Sequence, residues 1–280
     1  MRKSLITTAA LGALAAPAFV FAADAAPAPD LTVAYNVGLY SQYIFRGLTQ
    51  TDRKPALQGG VDLTHSSGFY LGAWGSNISW LTDPYLTSSK EDSVYKSGGN
   101  LEIDIYGGFR TDLKGVGVDL GVLQYWYPGT ERGTAAGFGE ANTTEVYGAL
   151  SYGWVQGKVS VVASDYAWGF GKIQGTAPVT KDARGTYYAE LNATIPVGDL
   201  VGGGALKGVT GTAHIARQEF DSVFAASYTD YKLGLTKAFD NGVNVGAYWT
   251  ATSGAKDSVW VYNGKNIGDS TGTAYIQKTF

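Results

Sequence analysis

The 280-residue sequence contains no cysteine, one methionine, two histidines and few charged residues, which make up 16% of the chain. Without cysteine the chain can form no disulfide, no thiolate metal site and no thiol nucleophile. Two histidines leave almost no room for a zinc site built from several imidazoles. The formal charge of −3 and the lack of basic clusters argue against nucleic-acid binding. We therefore expect no metal, no cofactor and no nucleic-acid partner.

Long apolar runs are also missing after the first twenty or so residues. No later stretch approaches the ~18 continuous apolar residues that a membrane-spanning helix requires. Glycine, which is typical of turns, and the aromatic residues typical of strands are abundant instead, with 39 glycines, 19 tyrosines and 7 tryptophans. This excess indicates an all-β chain with many turns.

The N-terminus has the layout of an export signal. A short basic start precedes an apolar run over residues 5–20, and small residues allow cleavage after Ala22. A membrane anchor is the alternative, but the apolar run is short and no stop-transfer charges follow it. We expect a cleaved signal peptide over residues 1–22, a flexible lead-in over 23–30 and the folded domain over 31–280.

The remaining sequence alternates between apolar and polar residues. Apolar side chains occupy every second position from Leu31 to Leu39, and the same period recurs along the chain. Such alternation over about ten residues predicts β-strands, and no amphipathic helix of useful length is present. The predicted strands are 31–39, 57–63, 69–80, 101–110, 116–122, 144–152, 159–167, 187–195, 209–215, 231–239, 243–251 and 274–280.

The connections between these strands alternate in length. Short turns follow the second, fourth, sixth and tenth strands, at residues 66–68, 112–115, 153–157 and 240–242, whereas long loops follow the odd-numbered strands. The connection over residues 197–208 is the exception, because it is longer than this scheme requires. An even strand number with short turns at one end is typical of a transmembrane antiparallel up-and-down β-barrel, with both termini in the periplasm. A soluble periplasmic β-barrel that binds a ligand remains an alternative.

Aromatic residues cluster near the predicted strand ends, where they could form the belts that anchor a barrel at the membrane interfaces. Packing inside a soluble barrel is the alternative. The aromatics concerned are Tyr40, Tyr43, Phe45, Trp74, Trp80, Tyr125, Trp126, Tyr127, Trp168, Phe170, Tyr248 and Trp249. The chain ends on Phe280, and a terminal aromatic on an alternating strand is similar to the signal read by the barrel-insertion machinery. Lys278 departs from that pattern.

Several motifs carry a family resemblance. They are Ser41–Thr51 (SQYIFRGLTQT), Pro55–Gly60 (PALQGG), Glu102–Gly108 (EIDIYGG), Asp119–Gly121 (DLG) and Tyr125–Pro128 (YWYP). With them the chain resembles the TorF-family porins, also called the Gcw_chp family. The resemblance implies a Gram-negative outer-membrane barrel that acts as a porin, and it implies no particular substrate.

In a membrane barrel the polar face of each strand points into the lumen. The predicted lining residues are Arg46, Gln58, Asp62, Glu102, Asp104, Arg110, Asp119, Glu145, Glu190 and Lys232, together with His214. We expect Glu102, Asp104 and Asp119 to form an acidic excess without obvious partners. Arg46, placed at the end of the first strand, is the best candidate for a counter-charge. These residues either line a pore with mild cation preference or fill the interior as a salt-bridged plug.

The sequence predicts a porin-like channel for passive diffusion of small hydrophilic solutes, with membrane lipid and the insertion machinery as partners. Two alternatives stay open, namely a non-conducting or enzymatic barrel plugged by its own side chains, and the soluble binding protein. An enzyme is not expected. The segment His65–Gly68 offers a histidine and serines, but a turn-forming cluster explains it equally well.

Overall fold

The computed structural model describes residues 30–97, 99–129, 131–132, 138–171, 173–174, 177–178, 181–221 and 224–280. The predicted signal peptide and residues 23–29 of the lead-in lie outside this part of the chain. None of the helices among the described residues has the length and apolar character needed to cross a membrane.

Twelve long strands form a single closed barrel. They are β1 (Leu31–Tyr40), β2 (Ala56–His65), β3 (Phe69–Asn77), β4 (Leu101–Leu113), β5 (Val116–Trp126), β6 (Thr143–Tyr152), β7 (Val155–Val162), β8 (Tyr187–Ile195), β9 (Val209–Glu219), β10 (Tyr228–Ala238), β11 (Val243–Ser253) and β12 (Thr271–Thr279). Each strand pairs antiparallel with its neighbours in sequence, and β1 closes the ring against β12 from Asn36↔Thr279 to Tyr40↔Tyr275. The predicted all-β, twelve-stranded up-and-down barrel is confirmed.

Several strand boundaries differ from the prediction, most of all those of β7 (Val155–Val162), which both begins and ends earlier than predicted. The sequence places a turn over residues 153–157 and a strand over 159–167, whereas β7 begins at Val155. The turn consists only of Gly153, whose φ is 58°, and Trp154. Gly157 lies inside β7, where it pairs with Leu150 of β6 on one side and with Leu191 of β8 on the other. A glycine within a strand was therefore mistaken for part of the turn.

The side chains of the barrel wall divide into an outward-facing apolar set and an inward-facing polar set. Apolar residues at alternate positions are exposed on the outside, for example Leu57, Leu120, Leu191 and Leu233, each more than half exposed. The residues between them point inward and are largely polar and buried. Because a closed sheet has only two faces, this pattern gives the barrel an apolar outer wall and a polar interior.

The connections agree with the predicted alternation of short turns and long loops. Four pairs of two-residue strands form small hairpins within the long loops: Ile44–Phe45 with Leu48–Thr49, Tyr166–Ala167 with Phe170–Gly171, Ile173–Gln174 with Ala177–Pro178, and Val261–Tyr262 with Lys265–Asn266. In addition, Tyr95–Ser97 of one loop pairs with Glu131–Arg132 of another. The long connection over residues 197–208 is occupied by a short helix α1 (Val197–Leu200) and a 3-10 turn (Gly204–Leu206). Further 3-10 turns occur at Lys90–Asp92 and Phe224–Ala226.

The predicted aromatic belts are wrong for most of the residues concerned. Of the twelve residues predicted for the belts, only Trp126 and Trp249 are exposed on the outer wall, each 44% accessible. Most of the others lie inside the long-loop end of the barrel, where rings pack edge to face, as Trp80 does on Tyr127 and Phe170 on Trp260. The long loops fold inward over the mouth, so their aromatics are covered by one another. The buried members are Tyr40, Tyr43, Trp80, Tyr125, Tyr127, Trp168, Phe170 and Tyr248.

Candidate functional site

The connection after β1, residues 41–55, folds into the barrel and is called loop 1 here. Its two short strands, Ile44–Phe45 and Leu48–Thr49, pair as a tight hairpin. The hairpin tip is Arg46 and Gly47, with φ angles of 47° and 80°. Loop 1 thus carries a cation away from β1 and into the interior.

Arg46 reaches the wall on the far side of the ring from β1. Its Nη1 and Nη2 donate to Glu145 Oε1 and Oε2 at 2.9 and 2.7 Å, and Nη1 also donates to Gln218 Oε1 at 2.9 Å. The guanidinium carbon lies 4.2 Å from the ring centre of Tyr188. Burial opposes the charge of Arg46, but Glu145, Tyr125 and Tyr188 together outweigh this effect and raise the Arg46 pKa above its ordinary value. Loop 1 therefore spans the interior and narrows it at the level of Glu145.

Glu102 and Asp104 stand on the inner face of β4 close to loop 1. Tyr43 of loop 1 donates to Glu102 Oε1 at 2.6 Å. Burial, followed by the nearby carboxylates, raises the pKa of Tyr43 well above its ordinary value, so the phenol stays neutral and can donate. Asp104 is 2% exposed, and its Oδ1 has no hydrogen-bond partner among the described residues. Asp104 is therefore the least compensated acid of this region.

A second group of interior residues lies further along β4 and β5. Arg110 Nε donates to Asp119 Oδ2 at 2.9 Å, and Tyr70 donates to Asp119 Oδ1 at 2.6 Å. Tyr106 of β4 donates to Asp62 Oδ1 of β2, also at 2.6 Å. The Arg110–Asp119 bond links the neighbouring strands β4 and β5, and the two tyrosine bonds each reach across one intervening strand, so the charges in this region are held in fixed positions.

A third group surrounds His214 on β9. Its Nε2 lies 3.0 Å from Asp230 Oδ1, and its Nδ1 lies 2.6 Å from Asn192 Oδ1. Tyr188 donates to both carboxylate oxygens of Asp230 at 3.0 and 3.1 Å. Asn192 in turn donates to Glu190 at 2.8 Å, which orients the amide oxygen toward the imidazole. Both ring nitrogens therefore face oxygen acceptors.

The arrangement of acids does not form a metal centre. Across the described ranges, no three acidic or histidine side chains converge as ligands of one ion would. Most of the carboxylates are instead distributed around the ring and bound by tyrosines or by basic side chains, with Asp104 as the exception.

A family model described as a bacterial protein of unknown function (Gcw_chp) matches residues 24–280. The chain belongs to the Gcw_chp family. No curated protein matches this Gcw_chp sequence.

Solved structures with a similar fold include two porins and one outer membrane protein, all at low sequence identity. A KdgM porin is 8% identical, with a TM-score of 0.45, covering 89% of the Gcw_chp chain and 98% of its own. A NanC porin is 10% identical, with a TM-score of 0.44 and coverages of 89% and 99%. The outer membrane protein OpdK from Pseudomonas aeruginosa is 10% identical, with a TM-score of 0.38 and coverages of 91% and 68%.

All the strand residues predicted to face inward occupy inward positions in the Gcw_chp barrel. Besides the groups described above, Gln58 is 4% exposed, and Lys232 lies over the ring of Tyr248 with its Nζ 4.2 Å from the ring centre. Glu190 is 4.0 Å from Lys158 Nζ. The structure brings together Arg46 with Glu145 and Arg110 with Asp119, and it keeps these two pairs on separate parts of the wall.

The structure corrects the charge pairing that the sequence analysis expected for Asp119, Arg46 and Glu102. Asp119 does not lack partners, because Arg110 and Tyr70 both bind it. Arg46 lies in the inward hairpin instead of ending the first strand, and it pairs with Glu145 instead of the acids on β4. Glu102 likewise has a partner, since Tyr43 binds it.

Sequence reasoning missed several interior residues of the Gcw_chp barrel. Lys158 falls between the predicted turn (153–157) and the predicted strand (159–167), because the prediction starts β7 too late, and Asp230 lies one residue before the predicted tenth strand. Gln218 and Tyr188 were not singled out, although both alternate with outward residues. The exposed pair of His65 Nδ1 and Ser67 Oγ, 2.7 Å apart, is local to the β2–β3 turn, where Nδ1 also accepts from the Ser67 N–H.

Proposed function

We propose that this chain is a porin-like channel of a Gram-negative outer membrane through which small hydrophilic solutes diffuse passively. The observation that carries the proposal is the distribution of side chains in the closed barrel, with apolar residues on the outer face and charged residues on the inner face. A barrel with an apolar belt is stable in a bilayer because every backbone group is paired within the closed sheet. The polar inner wall offers solutes hydrogen bonds in place of water. We further propose that the chain is one of the TorF-family porins.

The ten predicted lining residues are proposed to define the solute path and its charge preference. Acids outnumber bases on the inner wall, where Asp62, Glu102, Asp104, Asp119, Glu145, Glu190 and Asp230 face Arg46, Arg110, Lys158 and Lys232. Three of these bases are neutralised by an acid within 4.0 Å, and Asp104 retains an unpartnered oxygen. Cations should therefore enter more readily than anions, since interior charges are screened less than surface charges.

A second candidate function follows from loop 1. The hairpin spans the interior, and its Arg46–Glu145 pair is 7% and 1% exposed, so the barrel is closed to some degree by its own side chains. A non-conducting barrel, stabilised by this inner network, is the alternative that the loop favours. The two proposals differ in one measurable property, which is solute flux through the correctly folded protein.

The partners of this proposal are the lipid around the barrel and the machinery that inserts it. Phe280 is 68% exposed, and its N–H donates to Tyr35 O at 2.9 Å, so this aromatic residue stands where β1 and β12 close the ring. Lys278 directs its Nζ to within 5.3 Å of the Phe280 ring centre and to the carbonyl of Asn241. The lysine can thus lie on the outer face with its charge at the rim, which fits a snorkelling side chain.

Osmotic swelling of proteoliposomes tests the proposed function. Vesicles containing the folded barrel should swell in isotonic solutions of small sugars and of amino acids, and swelling should slow as solute size increases. For solutes of matched size, the cationic one should enter faster than the anionic one. Empty vesicles and vesicles with heat-unfolded protein are the controls. Absence of swelling with every solute, from protein that shows heat-modifiable migration, would favour the non-conducting barrel.

A further inference from the structure

The guanidinium of Arg46 lies in an enclosure built from the opposite wall of the barrel. Glu145 binds both of its terminal nitrogens, Gln218 Oε1 accepts a further bond, and Tyr125 Oη is 3.4 Å from Nη2. The faces of Tyr188 and Trp168 lie 4.2 and 5.1 Å from the guanidinium carbon. A bidentate carboxylate, an amide oxygen and aromatic faces are the features by which proteins recognise guanidinium groups. We call these five residues the cage.

Four of the five cage residues belong to strands of the barrel wall. Tyr125 is on β5, Glu145 on β6, Tyr188 on β8 and Gln218 on β9. Bonds independent of Arg46 hold three of them, since Tyr125 donates to Glu145 at 3.2 Å and Gln218 donates to the Tyr187 carbonyl at 3.1 Å. Tyr188 is fixed by Asp230. The cage should therefore keep its shape when Arg46 leaves it.

Arg46, in contrast, is presented by a narrow hairpin that is built from loop residues. The tip takes a left-handed conformation at Arg46 and Gly47, and a Cβ on Gly47 would lie 2.6 Å from the Cβ of Asp230. Only glycine fits at that approach, so the tip is shaped to rest against β10. The group that fills the cage is thus the side chain of a loop residue, whereas most of the cage belongs to the rigid sheet.

We propose that the cage is a binding site for the guanidinium or primary ammonium group of a cationic solute, and that Arg46 is its displaceable resident. This inference deepens the proposed function and rests on it for the route by which a solute reaches the cage. A solute bearing such a group would form the same charge-assisted bonds to Glu145 and the same stacking on Tyr188. Nearby acids, Asp104 and Asp230, extend the negative field around the cage.

The chemistry of the cage favours an organic cation over a divalent metal. Glu145 is its only carboxylate, and the remaining contacts are an amide oxygen, a phenol and aromatic faces. Divalent cations such as Ca²⁺ take about 6–8 oxygen ligands, which this set does not supply. A planar or tetrahedral nitrogen cation instead needs one carboxylate and a π face.

Calorimetric titration of the detergent-folded barrel with L-argininamide, a soluble guanidinium probe without a carboxylate, tests the site. In the unmodified protein Arg46 competes for the cage, so the apparent affinity is reduced by the fraction of molecules in which the cage is free. We expect Arg46→Ala to bind the probe at least about tenfold more tightly than the unmodified protein. Adding Glu145→Gln to Arg46→Ala should abolish this gain. Arg53→Ala, which removes the same charge from loop 1 outside the cage, is the matched control and should show no gain.

Arg46→Met is measured in parallel, because its unbranched side chain keeps more of the hairpin packing if the alanine variant fails to fold. Heat-modifiable migration verifies that each variant is a folded barrel. Equal affinity of the unmodified protein and both folded Arg46 variants, or a gain that survives Glu145→Gln, would overturn the inference. Binding without solute flux would reject the channel and retain the cage, whereas flux without binding would reject the cage alone.

Discussion

A lysine placed at the centre of β10 should separate the two faces of the barrel wall. Leu233 is the middle residue of this 11-residue strand and is 58% exposed on the outer face. The preceding residue, Lys232, points inward with its ammonium over the ring of Tyr248. Leu233→Lys would thus add a cation of the same kind on the outer, proposed lipid side of the sheet, while Lys232 stays on the inner side.

The cost follows from the position of Leu233 in the strand. A lysine on the lipid face near the bilayer midplane of a β-barrel costs roughly 2–4 kcal/mol. That cost lowers the folding equilibrium constant by about 30- to 1,000-fold. Thr212→Lys on β9 is the matched control, because Thr212 is half-buried on the inner face and its Oγ1 has no hydrogen-bond partner among the described residues. We expect the control to cost well under half as much.

Urea titration of folding into lipid vesicles, followed by heat-modifiable migration, measures both variants. The reasoning predicts a clear drop in the free energy of unfolding for Leu233→Lys and a small change for Thr212→Lys. Equal costs would show that the outer face of β10 does not contact lipid. A larger cost for the inward variant would reverse the assignment of the two faces and remove the basis for a membrane barrel.

Three further outcomes test other parts of the account. A peptide tag at Lys256, in a long loop, should be labelled on intact cells, whereas a tag at Asn241, in a short turn, should be labelled only after the outer membrane is opened; the opposite labelling would reverse the orientation. The double variant Asp104→Asn/Glu102→Gln should shift the reversal potential under a salt gradient toward zero, and an unchanged potential would remove these acids from the path. Deletion of Phe280 should slow assembly of the barrel in cells without preventing its folding in detergent, and normal assembly would exclude the terminal aromatic as a signal.

The wall of the barrel was predictable because strand alternation is a local property. Each inward residue, such as Glu102 or Glu190, lies between outward apolar neighbours, so the period of two assigns its face directly. The same reasoning failed at β7, where Gly157 looks like a turn residue in sequence. Its place within the strand depends on pairing with two neighbouring strands, which only the folded sheet reveals.

The interior contacts of loop 1 could not be predicted in the same way. Arg46 and Glu145 are separated by 99 positions in sequence, and their meeting depends on the direction in which the hairpin enters the barrel. Nor does alternation say which acid a base will select. The aromatics near strand ends were misplaced for a related reason, because an amphipathic ring suits both a membrane interface and an inward-folded loop, and only the fold of the loops decides between them.

Single-channel recording in planar bilayers tests the central claim most directly. The unmodified, correctly folded protein should insert and give discrete conductance steps, with a reversal potential under a salt gradient that shows mild cation preference. Arg46→Met should give larger steps, because the hairpin loses its bond to the opposite wall. Inserted protein that shows no conductance in either form would contradict the channel, and a clear anion preference would contradict the acidic lining.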